Sequence, residues 1–434
     1  MRIAKANLLA YVVMATLLPA VPAFAQDDGA LLREGLFARD RNVSVTQRPR
    51  PEYAPIAMRL GSFYVLPSIT ASVEGNDNIY ATSTGETSDA IFRVNPAVEA
   101  KSNWNRHALS LFANLNSSFY TSKDSENTTD YLLGFDGRLD VSHDLGFAGG
   151  ASYERDTEPR TSSASPQNLK EPIQYDVTRA YGEGTYATNR LRLTGRVSVD
   201  DYTYDNGTST VGGQIYEKDR DHTQWTEAAR AEYALVPNTS VFLLGTLNQR
   251  EYRNQGLLST GVVEPKRDST GFTLSVGSNF DLTHTIRGEV AVGYLDQNYN
   301  AAAYSEIKGV SFSGKIQWFP TQLTTVTFAG ARTPEDAGIV GVGGYVSTNF
   351  SATVDHELLR NLILNAGITY GKDDYKNYDR QDERTSEFVG ARYLMNRAVT
   401  VNLGYTHYNQ DSSGIFHGAS FDVNRVYASL TYAF

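Results

Sequence analysis

The residues of this sequence able to do chemistry are few, and the nearest to an acid–base set is Asp219-Arg220-Asp221-His222. A carboxylate that orients an imidazole lets it take a proton from water, so the cluster could support hydrolysis. A solvated charged loop explains the same four residues equally well. The seven histidines show no His-x-x-x-His or His-Glu-x-x-His spacing, and there is no cysteine. Neither a zinc site nor thiolate chemistry is expected. Gly341-Val-Gly343-Gly344 precedes a strand pattern rather than a helix and reads as a flexible loop, not as a phosphate cradle. No catalytic residue, metal or cofactor is expected.

What does recur is charge alternating with apolar residues. Arg190, Arg192 and Arg196 interleave with Leu191, Leu193, Gly195 and Val197, and Arg287 and Glu289 with Ile286, Gly288 and Val290. Arg230, Glu232 and Lys315 stand in similar company. Period two with one apolar face marks a β-strand, and it puts every one of these charges on the opposite face. Segments of this kind repeat along the chain, each entered by a tight polar turn. Examples are Asn238–Tyr252, His284–Tyr299, Asn361–Tyr375 and Asn396–Tyr408.

Two architectures place such strands: a soluble sandwich with the apolar face inside, or a membrane barrel with that face on lipid. The strands run ten or more residues, against about five or six in soluble sheets. Short turns at Asn189, Thr283-His284 and Asn396-Arg397 alternate with long stretches at 157–173, 206–221 and 254–266. That is the pattern of periplasmic turns and extracellular loops. The histidines follow it, His107, His143, His284 and His356 at the turn side and His222, His407 and His417 at the loop side. The chain ends on Val426, Ala428, Leu430, Tyr432 and Phe434. Leu430, Tyr432 and Phe434 resemble the terminal signal by which barrel-assembly machinery recognises outer-membrane clients. The expected fold is therefore an all-β transmembrane antiparallel barrel of about eighteen strands, with sixteen the alternative. Pro67 and Pro96 each remove a ladder donor and mark the first two strands as the least regular.

The N-terminus fits an exported protein. Arg2 and Lys5, the apolar Leu8–Leu18 and Ala23-Phe24-Ala25 form a signal peptide over 1–25, read as a Sec substrate. Residues 26–61 form a periplasmic leader, with a short helix or unordered tail at 31–41 and the proline-broken Arg48-Pro-Arg-Pro-Glu-Tyr53. A loose leader is the preferred reading, and one that tucks into the lumen or meets an inner partner is the other. Residues 62–434 form the barrel. The formal charge is -10, and removing the two signal cations leaves -12, which argues against nucleic acid. Tyr (27) and Phe (19) far exceed Trp (3), as aromatic girdles would require.

So wide a barrel leaves an aqueous lumen unless something plugs it. A charge facing hydrocarbon costs about 2–4 kcal/mol at the midplane, so Arg190, Arg192, Arg196, Arg230, Glu232, Arg287, Glu289 and Lys315 are the pore-lining candidates. They either sort solutes or simply pair with one another, and Arg190, next to the short turn, belongs either to the lumen or to the periplasmic rim. Acidic Asp124, Glu126, Asp373, Asp374, Asp379, Asp382 and Glu383 read as loop residues able to bind divalent cations that bridge lipopolysaccharide. They lack the spacing of a calcium loop.

Several motifs resemble the β-barrel porin 2 family of proteobacterial outer membranes. They are Arg48-Pro-Arg-Pro-Glu-Tyr53, Arg59-Leu-Gly-Ser-Phe63, Asn76-Asp-Asn-Ile-Tyr80, Trp104-Asn-Arg-His-Ala-Leu109, Thr129-Asp-Tyr131 and Asp355–Leu362. The resemblance implies an outer-membrane barrel, and some relatives look like parts of polysaccharide export complexes. It carries no established catalytic residues. The expected function is a passive or partner-gated channel for hydrophilic solutes, an exported polysaccharide among them. An occluded barrel acting through its loops is the alternative function.

Overall fold

The computed structural model describes residues 43–257, 261–282 and 285–434. The signal peptide, leader residues 26–42 and the Thr283-His284 turn expected above lie outside the described residues. Eighteen long strands, with the three-residue strand Met58–Leu60 folded back on the first of them, form one antiparallel sheet: β1 Phe63–Asn76, β2 Asp89–Ser102, β3 Ala108–Tyr120, β4 Thr128–Asp140, β5 Leu145–Thr157 and β6 Gln174–Thr188. Then come β7 Leu191–Tyr204, β8 His222–Val236, β9 Thr239–Tyr252, β10 Ser269–Leu282, β11 Ile286–Tyr299 and β12 Ile307–Thr321. The last six are β13 Thr324–Asp336, β14 Gly344–Leu359, β15 Leu362–Tyr375, β16 Gln381–Leu394, β17 Val399–Ser413 and β18 Phe421–Ala433. Consecutive strands pair throughout, and β18 pairs with β1 from Ser68–Ala433 to Asn76–Arg425, closing the barrel. The eighteen-strand expectation holds, and sixteen is excluded.

Alternation decides which side chains meet lipid. On β7, Leu191, Leu193 and Val197 are exposed on the outer wall while Arg192 between them is buried inside. Trp225, Tyr294 and Tyr370 ring the loop end of the outer wall, and Tyr186, Tyr233, Trp318 and Tyr432 ring the turn end. These rings suit the boundary between hydrocarbon and headgroups, where an amphipathic ring is at its most stable. The short turns are built for their job. Asn189 adopts φ 43° in the two-residue turn between β6 and β7, the left-handed backbone a tight hairpin requires. Bulges at Ala234/Val236, Trp318/Thr321 and Glu357/Leu359 precede three other turns.

The two prolines are accommodated differently. Pro67 lies where β1 runs past the end of β18, and its carbonyl accepts the N–H of Phe434 at 3.0 Å. Pro96 sits opposite Leu115 in the β2–β3 register, where it cannot donate. The buried side chain of Asn95 takes over, its Nδ2 donating to the Leu115 carbonyl at 2.7 Å and to Asn114 Oδ1 at 3.0 Å. A peptide carbonyl in a membrane wall has no water to fall back on, so this substitute bond holds the ladder across the proline. Replacing Asn95 by Ala should destabilise the barrel by about 1–3 kcal/mol, read as an earlier urea midpoint. Adding Pro96→Val, which restores the backbone donor, should recover most of that loss, and no recovery would show that Asn95 acts otherwise.

Candidate functional site: the lumen and its two closures

Most of the charged side chains on the inner wall are paired. Arg230 donates through both terminal nitrogens to the two oxygens of Glu289, at 2.7 and 2.8 Å, and lies 3.3 Å from Glu232. Asn279 donates to Glu289, Ser240 donates to Glu232, and the Phe242 ring lies beneath the guanidinium at 3.7 Å. All three charged groups are almost fully buried. Arg192 stands opposite Glu232 in the β7–β8 register and is buried too. Arg196 lies 4.2 Å over the Tyr181 ring and 3.8 Å from Glu183. Lys315 shares the inner face with Glu289, whose oxygens serve Arg230, and is itself exposed to the lumen. Arg190 is the exception among the candidates. It lies in the β6–β7 turn, exposed at the rim, because the tight turn ends the alternation one residue before Leu191.

The turn end of the lumen is occupied by the leader. The preference for a loose leader is overturned for residues 44–53, which are held by β11 to β16, whereas Met58–Leu60 folds back on the start of β1 and is exposed. Val45 is fully buried between Ile363 and Leu394, with Tyr53 packed on the same patch. Its N–H donates to Thr325 Oγ1 at 3.0 Å. Arg48 and Arg50 both donate to Glu357 Oε2, at 3.0 and 2.7 Å. Arg50 also donates to the Arg360 carbonyl and Arg48 to the Gln322 carbonyl. Arg360 donates back to Glu52 at 2.7 Å. Arg287, a pore-lining candidate, donates to Gln47 at 3.1 Å, so its role is tied to the leader. Burial pulls the Arg50 guanidinium below its usual range, and the Glu357 carboxylate opposes that pull. No local pattern in the sequence points to this seat, since Arg48 and Arg50 reach a carboxylate more than three hundred residues away.

At the other end the loops fold inward into a cap. Arg220 donates to both oxygens of Glu158, at 3.0 and 2.7 Å, and to Glu217 at 3.0 Å, over the Tyr204 ring at 4.1 Å. Arg267 lies 3.5 Å from Asp219 and donates to the Ile339 carbonyl at 3.2 Å. Burial pushes Asp219 up and Arg267 down from their ordinary values, and each charge partly offsets the other's shift. Arg160 donates to Glu126 at 2.6 Å. The loop with Gly341–Gly344 is packed rather than open, because Gly338, at φ 61°, leaves a Cβ position only 2.7 Å from Ala164 Cβ. Four acids expected in loops, Asp373, Asp374, Asp382 and Glu383, lie instead in the wall strands β15 and β16, and two of them are fully buried. Asp382 is fully buried against Arg380 at 2.7 Å, and Asp373 against Arg384 at 2.6 Å.

The acid–base cluster does not assemble. His222 Nδ1 meets the Arg220 carbonyl at 2.7 Å, and the ring is stacked between Tyr202 and Tyr252. Asp219 faces Arg267, and Asp221 accepts the Tyr204 N–H at 2.7 Å. No metal-holding group of three His, Cys, Asp or Glu side chains occurs among the described residues. Trp225 and Trp318 stand on the outer wall and Trp104 packs on Phe63 at the turn end.

Because the chain has no cysteine, a single Val45→Cys probe reports the leader directly. It should label slowly with a bulky maleimide in otherwise native protein. Breaking a buried ion pair by removing one partner costs about 3–5 kcal/mol, so adding Glu357→Ala should speed labelling at least about tenfold. Equal rates would mean that the Arg48–Glu357–Arg50 contacts do not hold the leader.

A search of the curated proteins finds no match. Among solved structures, a BenF-like porin from Pseudomonas fluorescens Pf-5 aligns with 11% identity and a TM-score of 0.45, covering 85% of this chain and 99% of its own. OccAB3 from Acinetobacter baumannii aligns with 11% identity and a TM-score of 0.46, covering 86% and 100%. The siderophore receptor PiuA from the same organism gives 11% and 0.46, covering 87% and 82%. The family described as "Putative beta-barrel porin 2" matches residues 50–434, nearly the whole of the described barrel with the end of its leader. The chain belongs to that family, and is a porin-like barrel of the outer membrane.

Proposed function

We propose that this barrel is a channel for small hydrophilic solutes that sorts them by charge and is gated at its periplasmic end by the leader. One observation carries the reading: Lys315 stays open to an aqueous lumen while opposed charges gather where the leader and the loops narrow it. A polysaccharide route would favour aromatic rings lying free along the lumen. Here Tyr202 and Tyr252 are already stacked on His222, and Tyr345 lies 4.9 Å from Tyr375. The alternative of a barrel that acts only through its loops draws support from the same leader and cap.

The proposal includes export through the Sec pathway with loss of residues 1–25. It also includes recognition of Leu430, Tyr432 and Phe434 by barrel-assembly machinery. All three side chains are exposed on the outer wall, as such recognition needs. Lipopolysaccharide is the expected neighbour of the loop end. A polysaccharide export complex remains the runner-up partner, testable by whether the protein co-purifies with one.

Single-channel recordings in planar bilayers test the central claim. The mature chain should conduct in short openings, and the same chain without residues 26–61 should conduct steadily. Silence from both would sink the channel reading and favour the loop-acting barrel. In a potassium chloride gradient, Lys315→Glu in the truncated form should move the reversal potential toward cation selectivity. An unmoved potential would place Lys315 off the conducting path.

A further inference from the structure

The barrel wall parts between β12 and β13. The β12–β13 ladder runs from Thr321–Thr324 to Phe312–Arg332 and stops there. Beyond it, Ile307–Ser311 pair only with β11, and Thr333–Asp336 pair only with β14. The upper β13–β14 hairpin leans into the lumen instead. Its outer-face Val346 is buried against the inner-face residues Leu295 and Ile307, with Tyr299 beside them. Its tip reaches β9, where Tyr252 donates to Asp336 and Arg250 donates to the Pro334 carbonyl at 3.4 Å. The hairpin is thus one wall of the cap.

That arrangement leaves β12 with an open edge. Val310 is strongly exposed on the outer wall, opposite the girdle residue Tyr294 in the β11–β12 register. An unpaired strand edge is a template for another strand, and at the hydrocarbon boundary its unpaired peptide groups are especially unfavourable. The strand it lacks is at hand. Continuing the observed register would set Ser311 opposite Thr333, Val310 opposite Pro334, Gly309 opposite Glu335 and Lys308 opposite Asp336, the last an opposite-charge pair. What stops the ladder is also visible. Pro334 has no N–H to give to Val310, and its carbonyl is engaged by Arg250 rather than by β12.

We propose that the open edge of β12 is a second seat for Thr333–Asp336, and that the β13–β14 hairpin exchanges between the two seats as the extracellular gate. In the inner seat it caps the lumen. In the outer seat it completes the wall and withdraws from the lumen. Pro334 weakens the outer seat enough for the inner contacts to compete. The exchange itself rests only on the wall geometry, whereas its meaning as a gate rests on the channel reading above.

Cysteine pairs in this cysteine-free chain test both parts. Lys308→Cys with Asp336→Cys can join only in the outer seat. In the inner seat Asp336 lies against β9, three strand spacings or roughly 14 Å from β12, too far for a disulfide. Gly256→Cys with Val340→Cys traps the inner seat, since a Cβ on Gly256 would lie 2.8 Å from Val340 Cγ1. Oxidised in membranes, the first pair should cross-link, and several-fold faster when Pro334→Val restores the donor. In the leader-truncated protein, oxidation should raise conductance for the first pair and lower it for the second. Failure of the 308–336 cross-link while 256–340 forms would overturn the exchange. Cross-linking at 308–336 with conductance unchanged from the reduced protein would overturn the gate. If no form conducts but 308–336 still cross-links, the exchange stands and the channel reading falls.

Discussion

Everything in this molecule depends on the closed backbone ladder. Hydrocarbon offers no partner for a peptide N–H or carbonyl, so the wall must satisfy its own groups all the way round. The register between β1 and β18 does this at the seam where the chain's two ends meet. The exceptions show how strict the rule is. At Pro96 an asparagine side chain stands in for the missing donor. At Pro67 the carbonyl is used by the C-terminal residue itself. Above Phe312 and Arg332 the wall parts, and there the hairpin packs inward on Leu295 and Ile307.

Inside the wall a second constraint operates, since a lumen lined by guanidinium and carboxylate groups must pair them or keep them wet. Arg230 with Glu289, Arg220 with Glu158 and Arg380 with Asp382 follow the first course, and Lys315 the second. Buried pairs of this kind contribute little net stability, because desolvation offsets their attraction. Their value here lies in shape. A guanidinium bound through two nitrogens to one carboxylate fixes the orientation of both, and each such pair fixes how far a wall strand or loop reaches into the lumen.

The wall was legible in the sequence because it is written locally. Leu191-Arg192-Leu193 states its two faces in three residues, and β5 runs over 145–157, as its alternation indicates. The family resemblance drew on the wall, its turns and the end of the leader. What filled the lumen was not legible, because its partners are remote in sequence. Ser44-Val45-Thr46 looks like any polar stretch, and only the apolar pocket of Ile363 and Leu394 makes Val45 a peg. Asp373 and Asp382 sit in a run of polar residues that resembles a solvated loop. Their burial becomes visible only when Arg384 and Arg380 are seen to face them. Of the two places open to Arg190, lumen or rim, it takes the rim, because period two does not continue through a two-residue turn.

The leader's seat orders events in time as well as in space. Arg48 and Arg50 belong to the first part of the chain to emerge, yet the carboxylate they share is Glu357, on β14, and the pocket for Val45 is made by β15 and β16. The seat exists only once β14, β15 and β16 stand side by side, whatever the order in which strands enter the wall, and the leader cannot dock before then. A leader that has gone to ground marks that part of the wall as built.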